Sequence, residues 1–215
     1  MPTGAGALSS TLPVHQHGCA IDIAVLVSGS GSNLQALLDG QGPYRVAGVL
    51  ADRPGIPALE RAHRAGVPTS VIPWDGDRTA FTSALCERVE KAGAQAMALA
   101  GFMRILGPEA IRRFPHRILN VHPSLLPAFP GAHAVSQALE YGVKVAGVTV
   151  HFVDEEVDHG PIISQVPVMV LAEDDEETLH RRIQREEHRV YPEVMAALAR
   201  GEISVQGRRV HWRRA

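Results

Sequence analysis

Residues 21–38 read IDIAVLVSGSGSNLQALL. The first seven residues are nearly all apolar, a pattern typical of a β-strand that is buried on both faces of a parallel sheet. A glycine-rich turn follows, and the spacing of apolar residues from Ser32 to Leu38 predicts an α-helix that stops near Gly40. The stretch therefore predicts a strand, a tight turn and a helix, which is the opening unit of an α/β fold.

The same alternation continues along the next 80 or so residues of the chain. Apolar runs predict further strands at 45–51, 69–72, 96–100 and 118–121, and helical patterns fall between them at 56–65, 79–92 and 108–114. Such alternation gives parallel strands with helices on both faces, and ligands bind at the carboxyl ends of the strands.

The pattern changes after a predicted helix at 133–141. Two predicted strands, 145–153 and 162–168, are joined by an acidic loop, which favours an antiparallel edge. A long helix is expected over 176–200, with Pro192 kinking or dividing it, and a terminal hairpin over 203–206 and 209–212. We predict an α/β fold with an open Rossmann-like sheet, mostly parallel with an antiparallel edge, in one domain spanning 21–215.

Composition narrows the class of protein. The 215 residues suffice for one sizeable core, with 45% hydrophobic and 20% charged residues. The net charge of −2, without a basic stripe, argues against a nucleic-acid partner. No apolar run approaches the roughly 18 residues of a membrane span, so no membrane partner is expected.

The first 20 residues are expected to form a disordered N-terminal extension, because they are rich in Gly, Ser, Thr and Pro. They contain no Lys or Arg, which a secretory signal requires. The two cysteines, Cys19 and Cys86, lie far apart in the sequence and have no metal-ligand spacing, which is typical of reduced thiols. We therefore predict a cytoplasmic protein.

The turn between the first strand and the first helix has the composition of an anion site. Gly29 and Gly31 allow the backbone to turn tightly, and Ser32 and Asn33 open the helix. Unpaired amides and the positive end of the helix dipole favour a phosphate there. The alternative is a structural turn capped by Ser32 or Asn33.

A dinucleotide site is a competing interpretation of the same turn. Gly29 and Gly31 begin the NAD fingerprint, and Asp52 lies about where a ribose-binding acid is expected. However, Leu34 stands at the third glycine position, where it would obstruct the close approach of helix and strand. The sequence therefore favours a phosphate over a dinucleotide.

Three polar residues outside this turn are candidates for acyl-transfer chemistry. Asn120 and His122 are two residues apart at a strand end, so their side chains point to the same side. An amide that stabilises an oxyanion beside a group that moves protons suits acyl transfer. Asp158, followed by Gly160 and Pro161, would orient His122 and favour its protonated form if the two meet. His151 is either a further partner or a satisfied core histidine.

With these features in view, the chain resembles the phosphoribosylglycinamide formyltransferases of purine biosynthesis, which use 10-formyltetrahydrofolate. The resemblance covers roughly residues 21–212 and rests on five motifs in the same order: VLVSGSGSNLQALL, LAGFMRIL, ILNVHPSLLPAFPG, VTVHFVDEEVDHGPII and REEHRVYP. His159 departs from the pattern, since Gly or Thr is common there, and it would add a titratable group near the site.

The resemblance implies a role for each matching position. It implies Asn120, His122 and Asp158 as the catalytic residues. The phosphate of glycinamide ribonucleotide (GAR) would bind Gly31, Ser32 and Asn33, and Glu187 would also contact GAR. The folate would lie along loop 154–158 and a second set of residues: Arg78, Met103, Arg104, Ile105, Leu106 and Asn120. The expected partners are the two small-molecule substrates, without a metal, and the protein would act as a monomer or homodimer.

Three other functions are compatible with parts of the sequence. Methionyl-tRNA formyltransferase would need a further basic C-terminal domain, yet the chain ends at Ala215; formyltetrahydrofolate hydrolase would carry an N-terminal regulatory domain, yet only about 20 residues precede the first strand. These lengths favour the GAR enzyme. A nucleotide-sensing α/β module would explain the glycine-rich turn but not the catalytic trio.

Overall fold

A seven-stranded sheet with six helices forms the centre of the fold, in a computed structural model that describes residues 21–213. The predicted extension and Cys19 lie outside the described residues. The strands of this sheet are β1 (Ile21–Val27), β2 (Tyr44–Ala51), β3 (Thr69–Val71), β4 (Ala96–Leu99), β5 (Ile118–His122), β6 (Val145–Phe152) and β7 (Ile162–Met169). The helices are α1 (Ser32–Asp39), α2 (Pro57–Arg64), α3 (Arg78–Lys91), α4 (Pro108–Arg113), α5 (Ala134–Tyr141) and α6 (Glu176–Ala199). A separate two-stranded hairpin consists of β8 (Ile203–Gln206) and β9 (Arg209–Trp212).

The strand order explains where a ligand would bind. The order across the sheet is β3-β2-β1-β4-β5-β6-β7, in which the first five strands are parallel and β6 and β7 pair antiparallel. The chain moves outward from β1 to β3 and then resumes on the other side of β1 with β4. This reversal opens a crevice at the carboxyl ends of β1 and β4. The predicted mostly parallel sheet with an antiparallel edge is confirmed.

Strand β1 is apolar throughout because it faces a helical layer on each side. Ile23 and Val25 belong to the core cluster beneath α1 and α6, whereas Ala24 and Leu26 belong to the cluster beneath α3 and α4. Alternate strand residues point to opposite faces, so both sets are buried. Burial of a residue such as Leu26 stabilises the fold by about 1.5–3 kcal/mol.

The ends of the predicted elements differ from the observed ones by at most one residue. Of the two outcomes expected at Pro192, a kink or a division of the last helix, the division was wrong, because α6 is continuous from Glu176 to Ala199. Helix α6 continues through Pro192 because Tyr191 and Val194, which lie next to it on the helix, are held in the core. Tyr191 is fully buried, and its hydroxyl lies 3.2 Å and 2.9 Å from the carbonyl oxygens of Leu99 and Leu119. These contacts fix α6 over β4 and β5.

The terminal hairpin packs on the main body of the fold. Ile203, Val205, Val210 and Trp212 are partly buried against the larger core cluster. Hairpin and core therefore form one packed unit within the described residues. No helix of residues 21–213 is long and apolar enough to cross a membrane.

Candidate active site

Asn120, His122 and Asp158 meet at the carboxyl end of β5. The amide Nδ2 of Asn120 lies 3.3 Å from Oδ1 of Asp158, and Nδ1 of His122 lies 3.4 Å from Oδ2 of the same carboxylate. Asn120 and His122 share one face of β5, as their spacing predicted, and Asp158 reaches that face from the loop between β6 and β7. The three groups expected to meet are therefore in contact.

The backbone around Asp158 is built for this approach. Asp158 has a φ of 51°, in the left-handed region. A Cβ on Gly160 would lie 1.8 Å from the carbonyl oxygen of Phe152, so only glycine fits there. The amide of Gly131 donates a 2.8 Å hydrogen bond to Oδ2 of Asp158. The carboxylate is thus held from the opposite loop as well as from its own.

The pKa of Asp158 lies below its usual value. Burial by itself would raise this pKa, but the interaction with His151, the hydrogen bond from the Gly131 amide and the charge of His122 together outweigh burial. Asp158 is therefore a carboxylate at neutral pH, available to stabilise a positive charge beside it.

His122 has only one nitrogen free for chemistry. Its Nε2 lies 2.9 Å from the carbonyl oxygen of Phe129 and therefore donates to it, which leaves Nδ1 facing Asp158. Burial lowers the pKa of His122 below 6.5, although the Phe129 carbonyl and the charge of Asp158 raise it. The expected influence of Asp158 has the right sign, but burial is larger, so the imidazole is neutral at pH 7 without substrate.

His151 orients the amide of Asn120. It is buried, and its Nδ1 lies 2.8 Å from the carbonyl oxygen of Phe152, so Nδ1 donates and Nε2 accepts. That Nε2 lies 3.2 Å from Nδ2 of Asn120. Both hydrogens of the Asn120 amide therefore have partners, one on His151 and one on Asp158. Of the two interpretations of His151 from the sequence, the structure supports the partner of the site.

The glycine-rich turn starts α1 with a left-handed residue. Gly31 has a φ of 72°, and a Cβ there would lie 2.7 Å from Cα and Cβ of Ala58 on α2. No side chain caps α1 at this position. Arg61 donates a 2.9 Å hydrogen bond to the carbonyl oxygen of Ser30, which supports the turn from outside. An uncapped helix start on tightly packed backbone suits an anion.

Helix α6 closes over this turn with two side chains. Nδ2 of Asn33 donates to Oε2 of Glu187 at 2.8 Å, and Nε2 of Gln184 donates to Oγ of Ser32 at 2.9 Å. Burial raises the pKa of Glu187, although its hydrogen bond from Asn33 lowers it. The predicted Gly31, Ser32, Asn33 and Glu187 thus form one group. Sequence reasoning missed Gln184, which its place three residues before Glu187 on the same helix face could have revealed.

The predicted folate-binding segment lies just after β4. The side chains of Met103 and Ile105 are 62% and 54% exposed, so they offer apolar surface to a ligand. Leu106 is different: its side chain is buried in the core cluster beneath α3. The guanidinium of Arg78 donates to the carbonyl oxygen of Leu106. The Leu106 side chain therefore offers no surface to a ligand.

Arg104 is held by a network that the sequence did not reveal. Its Nε donates to Oδ2 of Asp52 at 2.7 Å, and its guanidinium lies 5.3 Å from the ring centre of Trp74. Arg53 binds both carboxylate oxygens of Asp52. Asp52 is buried and occupied by these arginines, so it is not placed to bind a ribose as the dinucleotide alternative required.

His159 does not contact the catalytic trio. Its Nδ1 lies 2.8 Å from Oδ2 of Asp154, and Nη1 of Arg208 lies 3.1 Å and 3.3 Å from its Nε2 and Nδ1. That His159 adds a titratable group near the site stays a prediction. Among residues 21–213 there is no group of three potential ligands that could hold a metal ion.

Comparison with known proteins identifies the family of this chain. The formyl transferase family matches residues 21–195. The chain is 48% identical over 198 residues to the phosphoribosylglycinamide formyltransferase of Mycobacterium tuberculosis, a match that covers 86% of this chain and 88% of that protein. The crystal structure of glycinamide ribonucleotide transformylase 1 from Symbiobacterium toebii superposes with a TM-score of 0.89 at 52% identity, covering 92% of this chain and 95% of that one.

A longer relative matches over only part of its length. The chain is 44% identical over 187 residues to the trifunctional purine biosynthetic protein adenosine-3 of Drosophila melanogaster, and the match covers 83% of this chain but 14% of that protein. The matches to the bacterial proteins cover most of the length of both chains. The family model and the fold agree with these matches. The chain belongs to the formyl transferase family and, within it, to the phosphoribosylglycinamide formyltransferases.

Proposed function

We propose that the protein transfers the formyl group of 10-formyltetrahydrofolate to the amine of GAR, giving formyl-GAR and tetrahydrofolate in purine biosynthesis. The observation that carries the proposal is the contact of one carboxylate, that of Asp158, with both Asn120 and His122. The names of two relatives matched over most of both chains, a phosphoribosylglycinamide formyltransferase and a glycinamide ribonucleotide transformylase, support formyl transfer to GAR.

The two substrates would approach the trio from different sides. The GAR phosphate would bind the amides of Gly31, Ser32 and Asn33, with Glu187 holding another part of GAR. Strands β1 and β5 are two positions apart in the sheet, so the turn and the trio are separated by about 10 Å across the strands. One small phosphorylated substrate spans that distance.

The folate would lie along the segment after β4. Met103 and Ile105 would provide its apolar wall, and the backbone from Arg104 to Leu106 would offer hydrogen bonds. Arg78 supports that backbone through the Leu106 carbonyl. Loop 154–158 and Asn120 would complete the folate site, which brings the formyl carbon next to the trio.

In the reaction one C–N bond forms, to the amine of GAR, and one C–N bond breaks, to N10 of the folate. The amine of GAR attacks the formyl carbon, a C–N bond forms, and the tetrahedral intermediate carries an oxyanion. Asn120 donates a hydrogen bond to that oxyanion, which requires its amide to exchange the contact with Asp158 while His151 keeps it oriented. Loss of one such donor typically raises the barrier by about 2.7–4 kcal/mol.

The proton moves from the attacking nitrogen to N10 of the folate as the bond to N10 breaks. Neutral His122 is able to accept a proton on Nδ1, and Asp158 at 3.4 Å stabilises the imidazolium that results. The imidazolium is then a charged donor beside the intermediate. Proton transfer of this kind contributes roughly 10²–10⁴-fold to the rate. No step needs a metal, because a deprotonated amine is itself a nucleophile.

The purified chain, assayed with 10-formyltetrahydrofolate in the presence and absence of GAR, tests the proposal. We expect formyl-GAR and tetrahydrofolate in equal amounts, and no consumption of the folate without GAR. Deformylation that does not depend on GAR would identify a hydrolase instead. Absence of turnover under all conditions would favour a nucleotide-binding module and overturn the proposal.

The proposed cellular location and partners of the protein follow from its two substrates. GAR and the folate are small molecules, and a cytoplasmic enzyme without a nucleic-acid or membrane partner has direct access to them. All of the residues that we assign come from one chain, so either a monomer or a homodimer would be competent.

A further inference from the structure

We propose that Arg208, at the turn of the β8–β9 hairpin, is a positioning residue that holds the loop carrying Asp158 in its active conformation. The inference rests on the proposed function, because it assumes that Asp158 acts in formyl transfer. The hairpin would thus be part of the working site although it lies outside the main sheet.

Arg208 contacts the residue that directly follows Asp158. Its Nη2 donates to the carbonyl oxygen of His159 at 2.6 Å. Its Nη1 lies 3.1 Å from Nε2 and 3.3 Å from Nδ1 of the same residue. Arg208 therefore holds both the backbone and the ring of His159.

His159 passes this contact on to the start of the loop. Its Nδ1 donates to Oδ2 of Asp154 at 2.8 Å, so in the neutral ring Nε2 is free to accept from Arg208. Asp154 in turn accepts from the amide of Glu156 at 3.1 Å. The hairpin, the end of the loop and its beginning are thus connected through three side chains.

The loop needs such support because of what it carries. Residues 155–157 are exposed, and residues 153–161 form neither helix nor strand. Asp158 nevertheless has a φ of 51°, in a region that L-residues rarely adopt. The loop also concentrates the negative charges of Asp154, Glu155, Glu156 and Asp158, which repel one another. The positive charge of Arg208 lies outside the loop and reduces the repulsion among these carboxylates. Its contact with the His159 carbonyl also holds the backbone next to Asp158.

The hairpin is a firm base for this contact. Four of its apolar side chains pack against the core, and its ends are joined by a 3.0 Å hydrogen bond from the Arg213 amide to the Glu202 carbonyl oxygen. Gly207, with a φ of 58°, forms the tight turn that presents Arg208. Arg208 therefore connects a loop that has no helix or strand to a hairpin that packs on the core.

The test compares Arg208→Ala and Arg208→Lys with Arg209→Ala. Arg209 is the adjacent exposed arginine, and its side chain makes no hydrogen bond or ion pair within residues 21–213. For each full-length variant, kcat, the KM values of both substrates, the melting temperature and the amide hydrogen exchange of residues 154–160 are measured.

We expect Arg208→Ala to lower kcat about fivefold, since contacts of exposed ions are individually weak. The KM for GAR should stay unchanged, and exchange at residues 155–159 should accelerate. Lys at position 208 should restore most of the rate, because its amine is still able to donate to the His159 carbonyl. Arg209→Ala should behave as the parent.

Two outcomes would overturn the inference: Arg208→Ala with parental kcat and parental exchange, or equal losses in Arg208→Ala and Arg209→Ala with lower melting temperatures. The second would mean that only the stability of the hairpin matters. If the parent chain itself transfers no formyl group, the proposed function fails, whereas the exchange data still decide whether Arg208 holds the loop.

Discussion

Nδ1 of His122 lies 3.4 Å from the carboxylate of Asp158, while Nε2 of the same ring is bound to the Phe129 carbonyl. Only one nitrogen of the imidazole is therefore free to gain or lose a proton. That nitrogen faces the one group that would stabilise the charge it acquires. The arrangement assigns proton transfer to Nδ1, and it makes Asp158 the main electrostatic partner of His122.

Asp158→Asn should lower kcat by about 10²–10⁴-fold, because the carboxamide cannot stabilise an imidazolium on His122. The affinity for GAR should change little, since the phosphate turn is formed by other elements. Steady-state kinetics and calorimetry with GAR measure the two effects separately. Near-parental turnover would remove Asp158 from the mechanism.

The pKa of His122 should fall further in Asp158→Asn. In the parent, burial lowers this pKa below 6.5 and the charge of Asp158 partly raises it. Removal of that charge leaves the lowering effect of burial less opposed, so the imidazole loses its proton at lower pH. An NMR titration of His122 in both proteins checks this sign. An upward shift of the pKa in the variant would contradict the electrostatic coupling.

Gly31→Val should weaken GAR binding and also lower stability, by about 1–3 kcal/mol. Gly31 has a φ of 72°, and an added Cβ would lie 2.7 Å from Ala58. Gly29→Ala is the matched control, because a Cβ there meets nothing within 4 Å. Unchanged GAR affinity of Gly31→Val by calorimetry would argue against a phosphate site.

Glu187→Gln should weaken GAR binding while preserving or raising the melting temperature at neutral pH. Burial raises the pKa of Glu187, so the folded protein holds this proton more tightly than the unfolded chain. The free energy of unfolding therefore falls as pH rises from 4.5, the ordinary pKa of a Glu side chain, through the raised pKa of Glu187. Melting temperatures across this range, compared with exposed Glu193→Gln, measure the effect. A clear loss of stability at neutral pH would contradict the sign.

Asp52→Asn should raise the KM for 10-formyltetrahydrofolate more than the KM for GAR. Asp52 is buried and binds Arg104 at 2.7 Å, so its loss frees Arg104 next to the proposed folate segment. Breaking a buried ion pair typically destabilises a protein by about 3–5 kcal/mol, and the partial exposure of Arg104 places this case at the lower end. Arg53→Gln, which alters the longer and more exposed pair at 3.3 Å, is the control. Equal changes in both KM values would mean that the network does not serve the folate side.

Much of the fold was predictable because local patterns agreed with the tertiary structure. The apolar run of Ile21–Val27 is buried on both faces, and it became a central strand as expected. Pro192 is the exception: the local rule for proline predicts a kink or a break, but the helix is not divided, because Tyr191 and Val194 are buried beside the proline. Tertiary packing outweighed the local preference there.

The alternation of strands and helices, the shared face of Asn120 and His122, and the resemblance that pointed to Asp158 could all be read from the order of the residues. These features depend on spacing along the chain or on whole motifs. The packed fold was needed to show that burial lowers the pKa of His122, that His151 orients Asn120, that the Leu106 side chain is in the core, and that Arg208 reaches the loop of Asp158. Desolvation and contacts between residues distant in sequence depend on how complete elements pack, which no local pattern encodes.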